Sequence, residues 1–224
     1  MLLALGLAAT GCATPQKPID LVWPLAPAEP RIRYVDSISS PEDMGVSGWS
    51  RMKQVMFGPE PIKALVKPYG VAVDSSGRLY VSDTAVRLVF VFDFDAPQNE
   101  ERVAFVGMKK PGRLGRPIGL ALDASDNLYV SDATGKKIVV YGPDHEFAAA
   151  IGELGKLERP AGIAIDNERD RLYVVDVAAH NVKVYSLGGE FLFEFGKRGA
   201  GDGDLNYPTN IALDGQEMCS SSTA

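Results

Sequence analysis

Apolar and polar positions along the chain recur in a fixed order and follow no helical spacing. In "KPYGVAVDSSGRLYVSDTAVRLVFVF", which begins at Lys67, an alternating apolar stretch meets an Asp-containing turn. A Leu-Tyr-Val strand ending in Asp, a second polar turn and an almost continuous aliphatic run follow. The same order returns in "RPIGLALDASDNLYVSDATGKKIVVY" from Arg116 and in "RPAGIAIDNERDRLYVVDVAAHNVKVY" from Arg159, and it starts a fourth time as "YPTNIALDG" at Tyr207. The prolines that open the copies stand at 68, 117, 160 and 208, a period of 43 to 49 residues. Val, Ile, Tyr and Phe dominate, and no 3.6-residue stripe runs through a copy, so the pattern predicts strands and excludes helical solenoids.

Three strands are explicit in each copy, and "RVAFVG" at 102, "EFAAAIG" at 146 and "EFLFEFG" at 190 supply a fourth before the next proline. Four antiparallel strands in roughly 45 residues make one blade of a β-propeller, whose sheet is covered on both faces by its neighbours and tolerates continuous apolar runs. The pattern Pro-x-Gly-apolar-Ala-apolar-Asp, then Leu-Tyr-Val-x-Asp, resembles that of the NHL-repeat propellers over residues 67 to 214. The resemblance implies an all-β, six-bladed propeller type, of which about three complete blades and a partial one are present. It says little about function.

The chain as a whole reads as five segments. Residues 1–12, "MLLALGLAATGC", form an apolar run too short to span a bilayer, and Ala9-Thr10-Gly11-Cys12 resembles the end of a bacterial lipoprotein signal, with Cys12 as the lipidated residue. Residues 13–30 are a Pro-rich tether. Within 31–66, "RIRYVDSIS" from Arg31 alternates like a strand that closes a propeller ring, and "SGWSRMKQVMFG" reads as a short helix capped by Ser47 or Ser50 and stopped by Gly58. Residues 67–214 are the blades, and 215–224, "GQEMCSSSTA", depart from the repeat as a truncated or aberrant tail would.

Composition narrows the chemistry. A net charge of -6 gives no global attraction for nucleic acid, and none is expected as a partner. Two cysteines, Cys12 and Cys219, and two histidines, His145 and His180, leave no zinc constellation and no expected disulfide. Asp74, Asp123, Asp166 and Asp214, with Asp83, Asp132 and Asp176, recur where strands enter turns, and Asp accepts turn amides there. His180 is read as a repeat-pattern residue, and Arg87, Lys136 and Lys137 as turn cations within reach of the aspartates. The loops between blades carry a recurring set of cations: Lys109, Lys110, Arg113 and Arg116 in the first, Lys156 and Arg159 in the second, Lys197 and Arg198 in the third. Gathered on one face, these eight are the candidate binding residues for a polyanionic or protein ligand.

The reading favours a cell-envelope lipoprotein held to a membrane through Cys12, at the outer membrane and facing the periplasm. Its propeller is expected to act as a non-catalytic binding or scaffolding platform, with no catalytic residue, metal or cofactor. The alternative is a lactonase-like or lyase-like propeller enzyme that is metal-dependent and whose site lies mostly in blades not present.

Overall fold

A computed structural model of the protein describes residues 21–24, 27–29, 31–38, 64–97, 102–152, 156–214 and 219–223. Strands β1 (Val22–Trp23) and β2 (Ile32–Arg33) pair antiparallel in a unit of their own that ends at Ile38. Blade 1 is β3 (Pro68–Val73), β4 (Leu79–Asp83), β5 (Leu88–Phe92) and β6 (Val103–Val106). Blade 2 is β7 (Pro117–Leu122), β8 (Leu128–Asp132), β9 (Lys137–Tyr141) and β10 (Phe147–Ile151), and blade 3 is β11 (Pro160–Asp166), β12 (Arg171–Asp176), β13 (Asn181–Ser186) and β14 (Phe191–Phe195). A fourth sheet holds β15 (Pro208–Leu213) and β16 (Cys219–Thr223). Each complete blade is an antiparallel meander in chain order.

Every opening proline sits at the first residue of its inner strand, where the missing N–H costs no interior ladder bond, and the register shifts just after it. The glycine two places on lets inner strands meet backbone to backbone. A Cβ on Gly70 would stand 2.4 Å from the Ile118 carbonyl oxygen, and one on Gly119 would stand 2.5 Å from that of Ala161. The fourth copy carries Asn210 at this place.

The core lies in the seams between blades. Tyr80, Val89 and Val91 of blade 1 pack on Leu120, Leu128 and Val139 of blade 2. Tyr129 and Ile138 of blade 2 meet Ile163, Leu172 and Val174 of blade 3. Val175, Val182 and Val184 of blade 3 meet Ile211 and Leu213 of β15. This arrangement explains the unbroken apolar runs, since consecutive residues of one strand face two different seams.

The expected fold class is corrected in one respect. The described residues are strands and connections with no helix among them, where the expected fold class included a short N-terminal helix; its residues, Ser47 to Gly58, lie outside the described ones. The segment at Arg31 carries β2. Its strand is two residues long and takes β1 as its partner, because the chain doubles back and the amides of Arg31 and Tyr34 donate to Trp23 and Leu21. In the segment read as a tail, Cys219–Thr223 pairs with β15, from Leu213↔Cys219 to Pro208↔Thr223.

Candidate functional site

An antiparallel four-stranded blade puts its second turn and its exit loop on the same face. That face carries the turns after β4, β8 and β12 and the loops that lead to β7, β11 and β15. One aspartate per blade ties the two together. Asp132 accepts the amides of Gly115 and Arg116 (2.7 and 2.8 Å) from the incoming loop and those of Thr134 and Gly135 (3.1 and 3.0 Å) from its own turn. Asp83 does the same for Val66, Lys67, Ala85 and Val86, and Asp176 for Glu158, Arg159 and Ala179. Burial alone would raise the Asp83 and Asp176 carboxyls, yet these donors outweigh it and hold both below the ordinary carboxylate range. The expectation that the repeated aspartates shape turns matches this geometry.

Asp176 has one further partner. Lys183 is buried beside it, its Nζ 3.0 Å from Asp176 Oδ2 and 3.2 Å from Asn181 Oδ1. Blades 1 and 2 carry Phe90 and Val139 at this place, so the ion pair interrupts an otherwise apolar position.

Each exit loop is also pinned by a glycine and a leucine. Gly107, Gly152 and Gly196 have φ of 93°, 86° and 85°, and a Cβ on them would fall 2.4 to 2.6 Å from Leu114, Leu157 and Leu205. In the first loop the Leu114 amide donates to the Gly107 carbonyl, and the Tyr141 hydroxyl donates to the Gly112 carbonyl. The turn residues Arg87, Lys136 and His180 are equivalent, all left-handed with φ of 66°, 53° and 58°. From that position His180 Nδ1 accepts the Tyr207 amide at 3.2 Å, which makes it a clamp on the third loop.

Between blades 1 and 2 these elements enclose an open cleft of ≈ 1160 Å³. Its cations are Arg87, Lys110, Arg113 and Lys137, its apolar walls include Phe105, Met108 and Leu114, and its one carboxylate is Asp132. The four amides on Asp132 already occupy that charge. Arg87, Lys110 and Arg113 make no ion pair among the described residues.

Of the eight cations singled out in the loops, the structure brings Lys110 and Arg113 into this cleft. Lys109 and Arg116 lie in the same loop but do not line it. Lys156 stands 4.8 Å over the Phe191 ring, Arg159 contributes its amide to Asp176, and Lys197 reaches Asp204 of its own loop at 3.9 Å. Arg198 is exposed. Arg87 and Lys137, turn cations expected within reach of the aspartates, also line the cleft. Cys12 lies outside the described residues. The apolar members escaped the sequence reading, although Leu114, Leu157 and Leu205 each stand three residues before a blade-opening proline.

On the opposite face the Tyr80 hydroxyl bridges blades, 3.1 Å from Asp74 Oδ2 and 3.1 Å from His145 Nε2. Burial and the Arg78 guanidinium push His145 below its usual value, so its ring is neutral at physiological pH. With Tyr80 donating to Asp74, the His145 Nε2–H donates to Tyr80. Among the described residues no three His, Cys, Asp or Glu side chains converge as a metal site would require. Asp83, Asp132 and Asp176 have their oxygens committed to amides, so these residues do not fit a metal.

Residues 64–174 match the family model SGL, the SMP-30/Gluconolactonase/LRE-like region. Among curated proteins, Protein brain tumor of Drosophila melanogaster is 33% identical over 66 residues, 28% of this chain and 6% of that protein. Virginiamycin B lyase from Staphylococcus aureus superposes with a TM-score of 0.54 at 14% identity, over 74% of this chain and 58% of that one. A provisionally assigned gluconolactonase superposes with a TM-score of 0.56 at 16% identity, over 70% of this chain and 57% of that one. The chain therefore spans a small part of its curated relative and just over half of these two structures.

The fold is a β-propeller related to the six-bladed NHL and SGL repeats. The expectation of a non-catalytic platform is corrected, because these blades share their fold with lyase and lactonase propellers. A catalytic propeller needs only a few residues outside its repeat, so regular blades are no argument against catalysis.

Proposed function

We propose that this chain contributes to a propeller enzyme of lyase or lactonase type, which opens a cyclic ester on the face bearing the exit loops. The observation that carries the reading is the cleft between blades 1 and 2, built from the stretch that matches the gluconolactonase-type model. Its charge is four cations against one internally satisfied carboxylate.

Both routes to ring opening fit that charge. In hydrolysis, water forms a bond to the ester carbon, the ring C–O bond breaks, and the alcohol oxygen takes up the proton. In elimination, a base removes a proton beside the ring C–O bond, that bond breaks as a double bond forms, and the carboxylate departs. Negative charge develops on the ester oxygens in each, and cations lining the cleft stabilise it. The role assigned to Lys110 and Arg113 is this electrostatic one.

The test is to incubate the purified chain with gluconolactone and with a streptogramin B, and to follow the products by mass spectrometry. Hydrolysis adds the mass of one water, and elimination leaves the mass unchanged. Ring opening that falls in Arg113→Gln supports the reading. A folded chain that opens neither ring above background overturns it.

A further inference from the structure

We propose that the cleft between blades 1 and 2 is a binding site for amphipathic organic carboxylates, molecules that join an apolar ring or chain to one carboxylate. This deepens the proposed function and rests on it for the chemistry that follows, but the binding itself can be measured without turnover.

The cleft joins two kinds of surface. Phe105, Met108 and Leu114 offer an apolar wall, and Met108 is 54% exposed. Arg87 and Arg113 offer planar guanidinium groups suited to bidentate carboxylate recognition, and Lys110 adds a point charge. Arg87, Lys110 and Arg113 make no ion pair among the described residues, and Asp132, the only acid in the lining, faces backbone amides. A purely polar polyanion would leave the apolar wall wet, and an uncharged apolar ligand would leave the cations unpaired. A ligand that carries both parts satisfies the whole lining.

The site is also built in advance. Asp132 ties the loop to the turn after β8, the Gly107 carbonyl receives the Leu114 amide, and Tyr141 holds Gly112. A ligand meets walls that are already ordered, which lowers the entropy lost on binding. The second and third loops share the glycine–leucine pin. Their lysines, however, are turned to Phe191 and Asp204, so among the three loops this charge and shape converge in the first.

The experiment is calorimetric titration of the purified full chain with 1-naphthoate, with decanoate, and with uncharged 1-naphthalenemethanol. Naphthoate or decanoate is expected to bind more tightly than the alcohol and to weaken as salt is raised. The exposed double variant Lys110→Gln with Arg113→Gln is expected to lose on the order of tenfold or more in affinity. Lys109→Gln, one residue outside the lining, should leave affinity unchanged. A chain that binds decanoate but not naphthoate points to acyl chains as the natural ligand, and the reverse points to rings. Equal binding of the alcohol, equal loss in Lys109→Gln, or no binding of either carboxylate by the folded chain overturns the proposal. Carboxylate binding without ring opening of either lactone would overturn the proposed activity and leave the site standing.

Discussion

Asp74 shows how much one turn residue can hold. Its carboxylate accepts from Ser76, from the amide and guanidinium of Arg78, and from Tyr80, which carries the hydrogen-bond chain across to His145 of blade 2. Burial alone would raise its pKa, but these donors lower it from the ordinary 3.8 to about 2. A depressed folded pKa means that the stabilisation is complete above the unfolded value and disappears as pH falls through the folded one. Asp74 is therefore expected to contribute on the order of 2 kcal/mol at neutral pH, lost between about pH 4 and about pH 2. Urea unfolding across that window checks this. Asp74→Asn should be less stable at neutral pH and should flatten the acid limb, and an unchanged limb would remove Asp74 from the account. The neighbouring turn at Asp123 resembles it, but there the tyrosine contact is looser, with the Tyr129 hydroxyl 3.5 Å from Asp123 and 3.4 Å from the Leu187 carbonyl.

At the scale of strands, one serine stitches each of the first two blades to the next. Ser82 accepts the Gly70 amide at 2.8 Å and donates to the Ile118 carbonyl at 2.7 Å; Ser131 accepts the Gly119 amide at 2.8 Å and donates to the Ala161 carbonyl at 2.5 Å. Both serines are fully buried. Blade 3 has Val175 at this place, and its inner strand packs on β15 through apolar contact instead. Ser131→Ala strands a buried amide and a carbonyl together, and the expected cost is about 1–3 kcal/mol. Equilibrium unfolding of the variant measures it, and a change within about 0.5 kcal/mol would mean that the stitch contributes nothing net. In sequence, Leu-Tyr-Val-Ser-Asp against Leu-Tyr-Val-Val-Asp was visible as a variation. That the serine spans to a strand about thirty residues later was not, because the pairing depends on how closely the inner glycines let two strands approach.

For the molecule as a whole, the same residue position has opposite fates in different blades. Leu120 and Ile163 are 9% and 7% exposed because a blade precedes theirs, whereas Val71 and Val73 of β3 are 64% and 59% exposed. With Tyr69 and Val66 they form an apolar face of the kind that drives association. The chain is expected to associate in a concentration-dependent way in sedimentation velocity, and Val71→Lys with Val73→Lys should shift it towards the monomer. Sedimentation as a monomer at every concentration would show that this face is covered or inert.

The sequence by itself determined the blades. Proline, glycine and aspartate positions set where each strand begins, kinks and turns, and strand alternation set which residues are apolar, because these are local rules of backbone geometry. It also placed the basic loops on one face, since the parity of four antiparallel strands requires it. The tertiary structure alone decided which of those cations meet. Lys110 and Arg113 join Arg87 and Lys137 only because two blades pack side by side, while Lys156 and Lys197 turn to Phe191 and Asp204. It alone decided, too, that the Asp132 oxygens are bound by backbone amides, so that the cations outnumber the one acid in the cleft lining. Such contacts lie between elements distant along the chain, and their outcome depends on seam distances and loop conformations that no local pattern records.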